Sequence, residues 1–173
     1  MLINITSDTL SQLKTIIGQL SKNQYAEKLE LLNYSSIGQH VRHVLEFYLC
    51  LSNGIKDGNV DYDKRVRNFS IETDPSHAIL ILEDLVSIFC CVEIEDTALT
   101  NTIEYNGFIV KADSSVSREL IYLIEHSIHH YAIIAIALRK EFEHIMIPRD
   151  FGVAYSTTKH KAVVEADMAH YHH

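Results

Sequence analysis

The segment from about Ser114 to about Glu143 constrains the fold of this chain most, because it is helical in pattern and apolar on most sides. Such a helix is stable in water only when other elements surround it, so the segment predicts a central buried helix. His126 and His130 lie four residues apart in it, about one turn apart on one face. Imidazoles are costly to bury without partners. The pair therefore indicates either a divalent metal site or two histidines with hydrogen-bond partners in the core.

A third metal ligand would have to come from another element, and the best source is the segment Ser36–Val44, which carries His40 and His43. We expect this segment to open a second helix that runs from Ser36 to about Ile55 and is stopped by the glycines that follow. The apolar stripe of this helix lies nearer to His40 than to His43, so the helical wheel slightly favours His40. Spacing alone leaves both histidines as candidates.

The rest of the chain predicts two further helices and one hairpin. Apolar residues at helical spacing indicate a first helix that begins after an N-cap among residues 6–8, and Asp74-Pro75 opens a helix over about Pro75 to Cys91. Asn106-Gly107, a preferred two-residue turn, lies between two strand-like runs and predicts a small β-hairpin. Beyond Pro148 no period is visible, which predicts an irregular C-terminal tail. Four main helices with a hairpin insertion predict an all-α bundle.

Length and charge limit the class of protein. A chain of 173 residues with 47% hydrophobic content is long enough for one domain with a substantial core, so we expect residues 1–173 to form a single domain. The formal net charge of -8, from 15 basic and 23 acidic residues, would repel a phosphate backbone. Nucleic acid is therefore not an expected partner.

The chain is predicted to be cytoplasmic and to have no membrane partner. We find no uninterrupted apolar stretch of the roughly 18 residues that a membrane span requires, and the first residues lack the basic region of a signal peptide. Cys50, Cys90 and Cys91 give no disulfide framework, and their odd count fits a reducing compartment. We expect the three cysteines to be buried and to pack as apolar side chains.

The two histidine segments resemble the metal-binding signatures of a known family. Ser36-Ile37-Gly38-Gln39-His40-Val41-Arg42-His43 and Glu125-His126-Ser127-Ile128-His129-His130-Tyr131-Ala132 are similar to the two signatures of the DinB-like (DinB/YfiT) superfamily. The resemblance extends over nearly the whole chain and points to an uncharacterised bacterial branch. It implies an up-down-down-up four-helix bundle and a site for a divalent metal ion such as zinc, nickel or iron.

The resemblance also selects the ligands. In the family, the ligand of the second helix falls seven residues after the serine that opens the helix, so Ser36 leads to His43 rather than to His40. The last helix supplies its two histidines at His-x-x-x-His spacing. The resemblance thus implies three metal ligands, His43, His126 and His130. Two neighbouring histidines are then expected to support these ligands, His40 and His129.

Three neutral imidazoles leave positions open on an ion for water or substrate, as in catalytic sites. Known enzymes of the family include metal-dependent transferases and isomerases that use low-molecular-weight thiols. The resemblance therefore implies a metal-dependent enzyme, a thiol S-transferase or a hydrolase, that acts on a small molecule. A low-molecular-weight thiol is the second cofactor that it implies.

Further candidates for the site follow from position along the chain. Glu119 is our candidate catalytic base because it lies on the face of His126 two turns earlier, and Glu46 is a second candidate. A capping or ion-pairing carboxylate is the more frequent role for a residue such as Glu119. Arg65 and Arg67 are candidates for binding a substrate carboxylate, although arginines in such loops are more often solvated or paired.

A non-catalytic function is the alternative. In that hypothesis the chain is a stress-related or ligand-binding bundle, and the ion is structural and ties the second helix to the last. The terminal histidines at 170, 172 and 173 are expected to bind metal adventitiously, so they complicate any metal measurement. Self-association into a homodimer is left open, because the pattern identifies no pairing face.

Overall fold

A computed structural model of the protein describes residues 1–91 and 96–160. Its four long helices are α1 (Leu2–Ile17), α3 (Ile37–Asp57), α5 (Pro75–Cys91) and α6 (Val116–Glu141). Two short helices lie between them, α2 (Lys22–Ala26) and α4 (Phe69–Thr73). The strands are β1 (Asn59–Val60), β2 (Ala98–Tyr105) and β3 (Phe108–Ser115).

The four long helices surround one hydrophobic core. α1 packs against α5 and α6, and α3 packs against the same two helices. The buried stripe of α6 includes Leu123, Ile134 and Leu138, each at most 1% exposed. The expectation that α6 would be buried on most sides is wrong, because Ile121 and Ile136 on its other faces are each 55% exposed.

The predicted all-α fold, an up-down-down-up four-helix bundle with a hairpin insertion, is wrong because the strands form more than a hairpin. β2 pairs antiparallel with β3, and β1 pairs in parallel with β2 to give the strand order β1-β2-β3. Val60 of β1 is fully buried. The described chain is therefore predominantly helical but contains a mixed three-stranded sheet, which fits a pure helical bundle only weakly.

Local chemistry explains why the hairpin was predictable and β1 was not. Asn106 and Gly107 both have positive φ, 50° and 81°, as the tight hairpin turn between β2 and β3 requires. β1 has only two residues and pairs with a partner about forty positions later in the chain, so it has no periodicity to detect. A Cβ on Gly54 would lie 2.6 Å from the Asn59 carbonyl oxygen, so glycine there lets β1 lie against α3.

The helix starts follow from hydrogen bonding of small polar side chains. Ser36 caps α3 in a capping box with Gln39, and Ser115 accepts from the backbone of Arg118 at the start of α6. The start predicted for α1 is wrong. α1 begins at Leu2, so residues 6–8 lie inside it, and the Thr6 hydroxyl donates back to the Leu2 carbonyl at 3.1 Å instead of capping the helix.

The segment after α6 packs against it. Phe151 is buried and stacks on Tyr131 with ring centroids 4.6 Å apart. Gly152 has φ 75°, and a Cβ there would lie 2.4 Å from the Ala132 amide nitrogen, so this turn requires glycine. Residues 155–160 are helical, which corrects the irregular tail predicted for them. The terminal histidines lie outside the described residues.

The cysteines were expected to be buried apolar side chains. Cys50 is only half-buried, and its thiol donates to the Asp61 carbonyl at 3.3 Å. The side chains of Cys90 and Cys91 lie outside the described part of the structure.

By length and composition, α6 is the one helix in the described ranges that could span a membrane, with a mean hydropathy of 1.3 over its most apolar window. A helix of a protein core passes the same test, and α6 contributes a buried stripe to the core. Hydropathy therefore does not decide where this protein resides, and the cytoplasmic location stays a prediction.

Candidate metal centre

Three histidines from two helices converge on one point. α3 supplies His43, and the adjacent α6 supplies His126 and His130 from successive turns. One nitrogen from each ring lies within 4.8 Å of the other two, and the Nε2 atoms of His43 and His126 are 3.0 Å apart. Nitrogens that share a tetrahedral zinc ion at about 2.1 Å would lie about 3.4 Å from one another. Small side-chain movements would therefore suffice to enclose an ion.

His40 lies behind this group rather than in it. His40 lies one helical turn before His43 on α3. Its Nδ1 atom is 3.0 Å from the Nδ1 atom of His130. This contact occupies one nitrogen of His130 and leaves Nε2 as its free nitrogen. His129 packs edge-on against the His130 ring with centroids 5.4 Å apart, but it is exposed. Of the two expected supporting histidines, His40 makes the polar contact.

An aromatic wall stands beside the histidines, and we define it as Phe47, Tyr62 and Tyr122. Phe47 stacks on His126 at 4.6 Å and on Tyr62 at 4.9 Å, and Tyr122 stacks on His126 at 5.6 Å. The wall restrains the His126 ring and keeps water from one side of it. No role at the site was predicted for these residues, although Phe47 lies four residues after His43 and Tyr122 four before His126, which is a detectable signal.

Glu46, the second candidate base, is the anchor of a buried charge network. It is 1% exposed, and its carboxylate pairs with Nε of Arg42 at 3.5 Å and with Nε of Arg65 at 3.6 Å. It also accepts from the Asn68 amide at 2.8 Å. The second guanidinium reaches the metal centre, because Nη2 of Arg65 lies 3.4 Å from Nδ1 of His43. The network therefore connects the loop after β1 to the histidines.

The carboxylate of Glu119 is fully buried and engaged by the hairpin and the loop after β1. Its four donors are Tyr62, Asn101, Ser114 and Arg118. Burial raises the pKa of Glu119, but the hydrogen bonds and the charge of Arg118 outweigh burial and hold that pKa below its usual range. These contacts anchor the hairpin to α6, and the catalytic role of Glu119 stays a prediction.

The histidines are neutral near pH 7 even without a metal. Burial is the largest cause, and it lowers the pKa of His40 and of His126 below the ordinary 6.5. Burial and the neighbouring imidazoles lower the pKa of His43 to about 4 and that of His130 to about 3. Neutral imidazole is the form that binds a metal, so the cluster needs no deprotonation at physiological pH.

Acid should destabilise the metal-free protein. In the unfolded chain these imidazoles titrate near 6.5, whereas the folded pKa of His43 is about 4. The unfolded chain therefore binds protons first, and we expect the free energy of unfolding to fall as pH drops from about 6.5 to about 4, with no contribution above that window. Urea denaturation in chelator at several pH values measures this slope. If His43→Asn leaves the slope unchanged, other groups are responsible.

Arg65 is expected to weaken metal binding at His43. A guanidinium only donates, so its contact with Nδ1 of His43 uses that lone pair and leaves the proton on Nε2, which faces His126. Arg65→Gln removes the positive charge and offers a carbonyl that accepts from Nδ1–H. We expect zinc affinity to rise about tenfold in this variant. Competition with a chromophoric chelator measures it, with exposed Arg67→Gln as the control, and an affinity that stays equal or falls contradicts the argument.

Comparison with known proteins gives no relative: no family model matches the chain, and no curated protein or solved structure matches it significantly. The DinB-like resemblance, the small-molecule substrate and the cofactors are therefore proposals.

Proposed function

We propose that this chain is a DinB-like divalent-metal protein whose three-histidine centre serves a reaction on a small molecule, either S-transfer from a low-molecular-weight thiol or hydrolysis. One observation supports the proposal: three half-buried imidazoles with lowered pKa meet between α3 and α6. A cluster that combines burial with perturbed pKa values is typical of functional sites.

The residues present fit such an ion. Neutral imidazole nitrogens suit zinc, nickel and iron, and three ligands leave coordination positions for a further molecule. When bound, the ion supplies a Lewis acid that lowers the pKa of a thiol or of water. His43, His126 and His130 are each only partly buried, so a small molecule has access to the centre.

The chain itself would position the substrate. The aromatic wall offers a flat apolar surface directly beside His126 for the apolar part of a substrate. Arg65 brings a positive charge to the same place, and its side chain is 14% exposed. An anionic group, such as a carboxylate or a thiolate, is favoured there over a cationic one. His40 holds the His130 ring through its Nδ1.

Turnover by metal-loaded protein tests the enzymatic proposal. Protein loaded with zinc, nickel or iron(II) is given glutathione and an aryl chloride, and separately an activated ester. In the first reaction sulfur bonds to the ring carbon, chloride leaves with the bonding electron pair, and the thiol proton goes to buffer. We expect a rate above that of free metal, which chelation and His126→Ala abolish. The absence of any rate that depends on both metal and His126 would reject both reactions.

A structural ion is the second candidate, and one observation favours it. The three histidines come from two helices, so an ion would cross-link α3 to α6. Metal binding would then appear as folding free energy. In that case the melting temperature rises on loading without any turnover. An unchanged melting temperature after chelation would exclude the structural role.

A further inference from the structure

A cavity lies on the side of α6 that faces away from the histidines. It has a volume of about 440 Å³ and is formed by α1, α6 and the segment 150–158. The α6 residues that line it are spaced one helical turn apart, roughly opposite His126 and His130 on the helix. None of the three metal-centre histidines lines it. Its size is within the range of small-molecule sites, and it is separate from the metal centre.

The cavity is a cleft with an apolar interior and a rigid floor. Its aliphatic lining comes from α1, α6 and the segment after α6, namely Leu2, Ile5, Ile121, Ile124, Ile128 and Val153. Tyr131 forms part of the floor, where it is 1% exposed, donates to the Thr9 carbonyl at 3.0 Å and stacks on Phe151. The floor is therefore preformed. Tyr155, which is 70% exposed, adds a second aromatic ring to the lining.

All of the charged residues that line the cleft are acidic. They are Asp8 from α1, Glu125 from α6 and Asp150 from the following segment, and no lysine, arginine or histidine lines the cleft. Within residues 1–91 and 96–160, no ion pair joins these carboxylates to a basic side chain. The Asp150 carboxylate accepts a hydrogen bond from the Thr158 hydroxyl at 3.5 Å. The cleft thus combines an apolar interior with carboxylates that no basic side chain of the described residues pairs with.

We propose that this cleft binds a small amphiphilic cation, a molecule with an ammonium or quaternary ammonium head and a short alkyl or aryl body. The body would cover the aliphatic lining, which yields about 25 cal/mol for each Å² removed from water. The head would lie near Asp8 and Glu125, and the Tyr155 ring is available for a cation–π contact. An anion of equal size would be repelled by the same carboxylates.

Three matched probes test this proposal on the full chain by isothermal titration calorimetry. Octyltrimethylammonium carries both features, octanoate has the apolar body with the opposite charge, and choline has the head with little body. A quaternary nitrogen has no lone pair, so it cannot bind a metal at the histidines. We expect octyltrimethylammonium to bind at one site and the other two to bind at least tenfold more weakly. Octanoate binding as tightly would overturn the proposal.

Variants locate the binding. Asp8→Asn and Glu125→Gln remove exposed charges without disturbing the core, and each should weaken octyltrimethylammonium binding about two- to fivefold. Glu141→Gln on the same helix, outside the cleft, is the matched control and should change nothing. His126→Ala should also leave binding intact, so failure of the proposed function and failure of this inference are distinguishable. If the double variant Asp8→Asn/Glu125→Gln binds octyltrimethylammonium as tightly as the parent, the proposal is overturned.

A protein truncated after residue 160 shows whether residues 161–173 compete with a ligand for the cleft. A protein ending at residue 160 should bind octyltrimethylammonium as the full chain does. Binding by the truncated protein alone would mean that residues 161–173 occupy the cleft, and would overturn the proposal.

Discussion

Replacing His126 with alanine is expected to lower zinc affinity at least about a hundredfold. Loss of a residue that only supports a metal ligand costs less, roughly 10- to 100-fold in affinity. The variant removes one of three converging nitrogens, and two ligands on different helices cannot compensate for it. His40→Ala should have a smaller effect, within that range, because His40 contacts His130 rather than the centre itself. The loss should therefore be graded by position in the cluster.

Metal content by plasma mass spectrometry and competition with a chromophoric chelator measure this gradation. The full chain and a chain shortened before His170 are compared, since the terminal histidines can bind metal on their own. His144→Ala is the matched control, because His144 lies after α6 and contacts Gln24 and Phe142. Approximately one ion per chain that survives truncation and His144→Ala but not His126→Ala is the expected result. Equal metal content in all the variants would reject the centre.

Gly38→Ala is expected to destabilise this protein strongly, although it adds only one methyl group. A Cβ at position 38 would lie 2.1 Å from the Glu72 carbonyl oxygen and 2.7 Å from the Tyr25 ring. The Tyr25 ring is held in place, because it is buried and its hydroxyl donates to the Ile71 carbonyl at 2.7 Å. Separation of the first turn of α3 from α4 is the only relief, and we expect it to cost about 3 kcal/mol or more of unfolding free energy.

Urea denaturation in chelator measures this effect apart from metal binding. Gly18→Ala is the control, since its Cβ would meet only the Lys14 carbonyl at an ordinary 3.4 Å and the glycine has a helical φ of -65°. That substitution should be neutral or stabilise the protein by less than about 1 kcal/mol. A Gly38→Ala midpoint equal to that of the parent would show that α4 tolerates displacement.

The starts of α3 and α6 and the hairpin turn depend on interactions within a few residues. Ser36 and Ser115 cap their helices because each hydroxyl meets an amide three positions later. Asn106-Gly107 forms the hairpin turn because both residues tolerate positive φ. The wrong start predicted for α1 is also a matter of local bonding, since the Thr6 hydroxyl has a second partner nearby, the carbonyl four residues earlier. A helix start or a turn thus has only a few possible local hydrogen-bond partners and backbone angles, so the residues nearby largely determine it.

The fold class was predicted wrongly because it depends on a distant contact. β1 joins β2 through two pairs of residues, and Val60 of β1 is fully buried in the folded chain. A two-residue strand has no alternation in its sequence, so a mixed sheet could not be distinguished from an isolated hairpin. A helical bundle was predicted because most of the periodic spacing of apolar residues lies in the long helices.

At the candidate site, helical spacing alone places His126 and His130 on one face of a helix, because 3.6 residues per turn bring them together in any fold. It did not decide between His40 and His43 on physical grounds. The packing of α3 on α6 made that choice, since it brings Nε2 of His43 to 3.0 Å from a histidine 83 positions away and leaves His40 behind His130. Side chains on different elements meet according to how those elements pack, and packing is a property of the whole core.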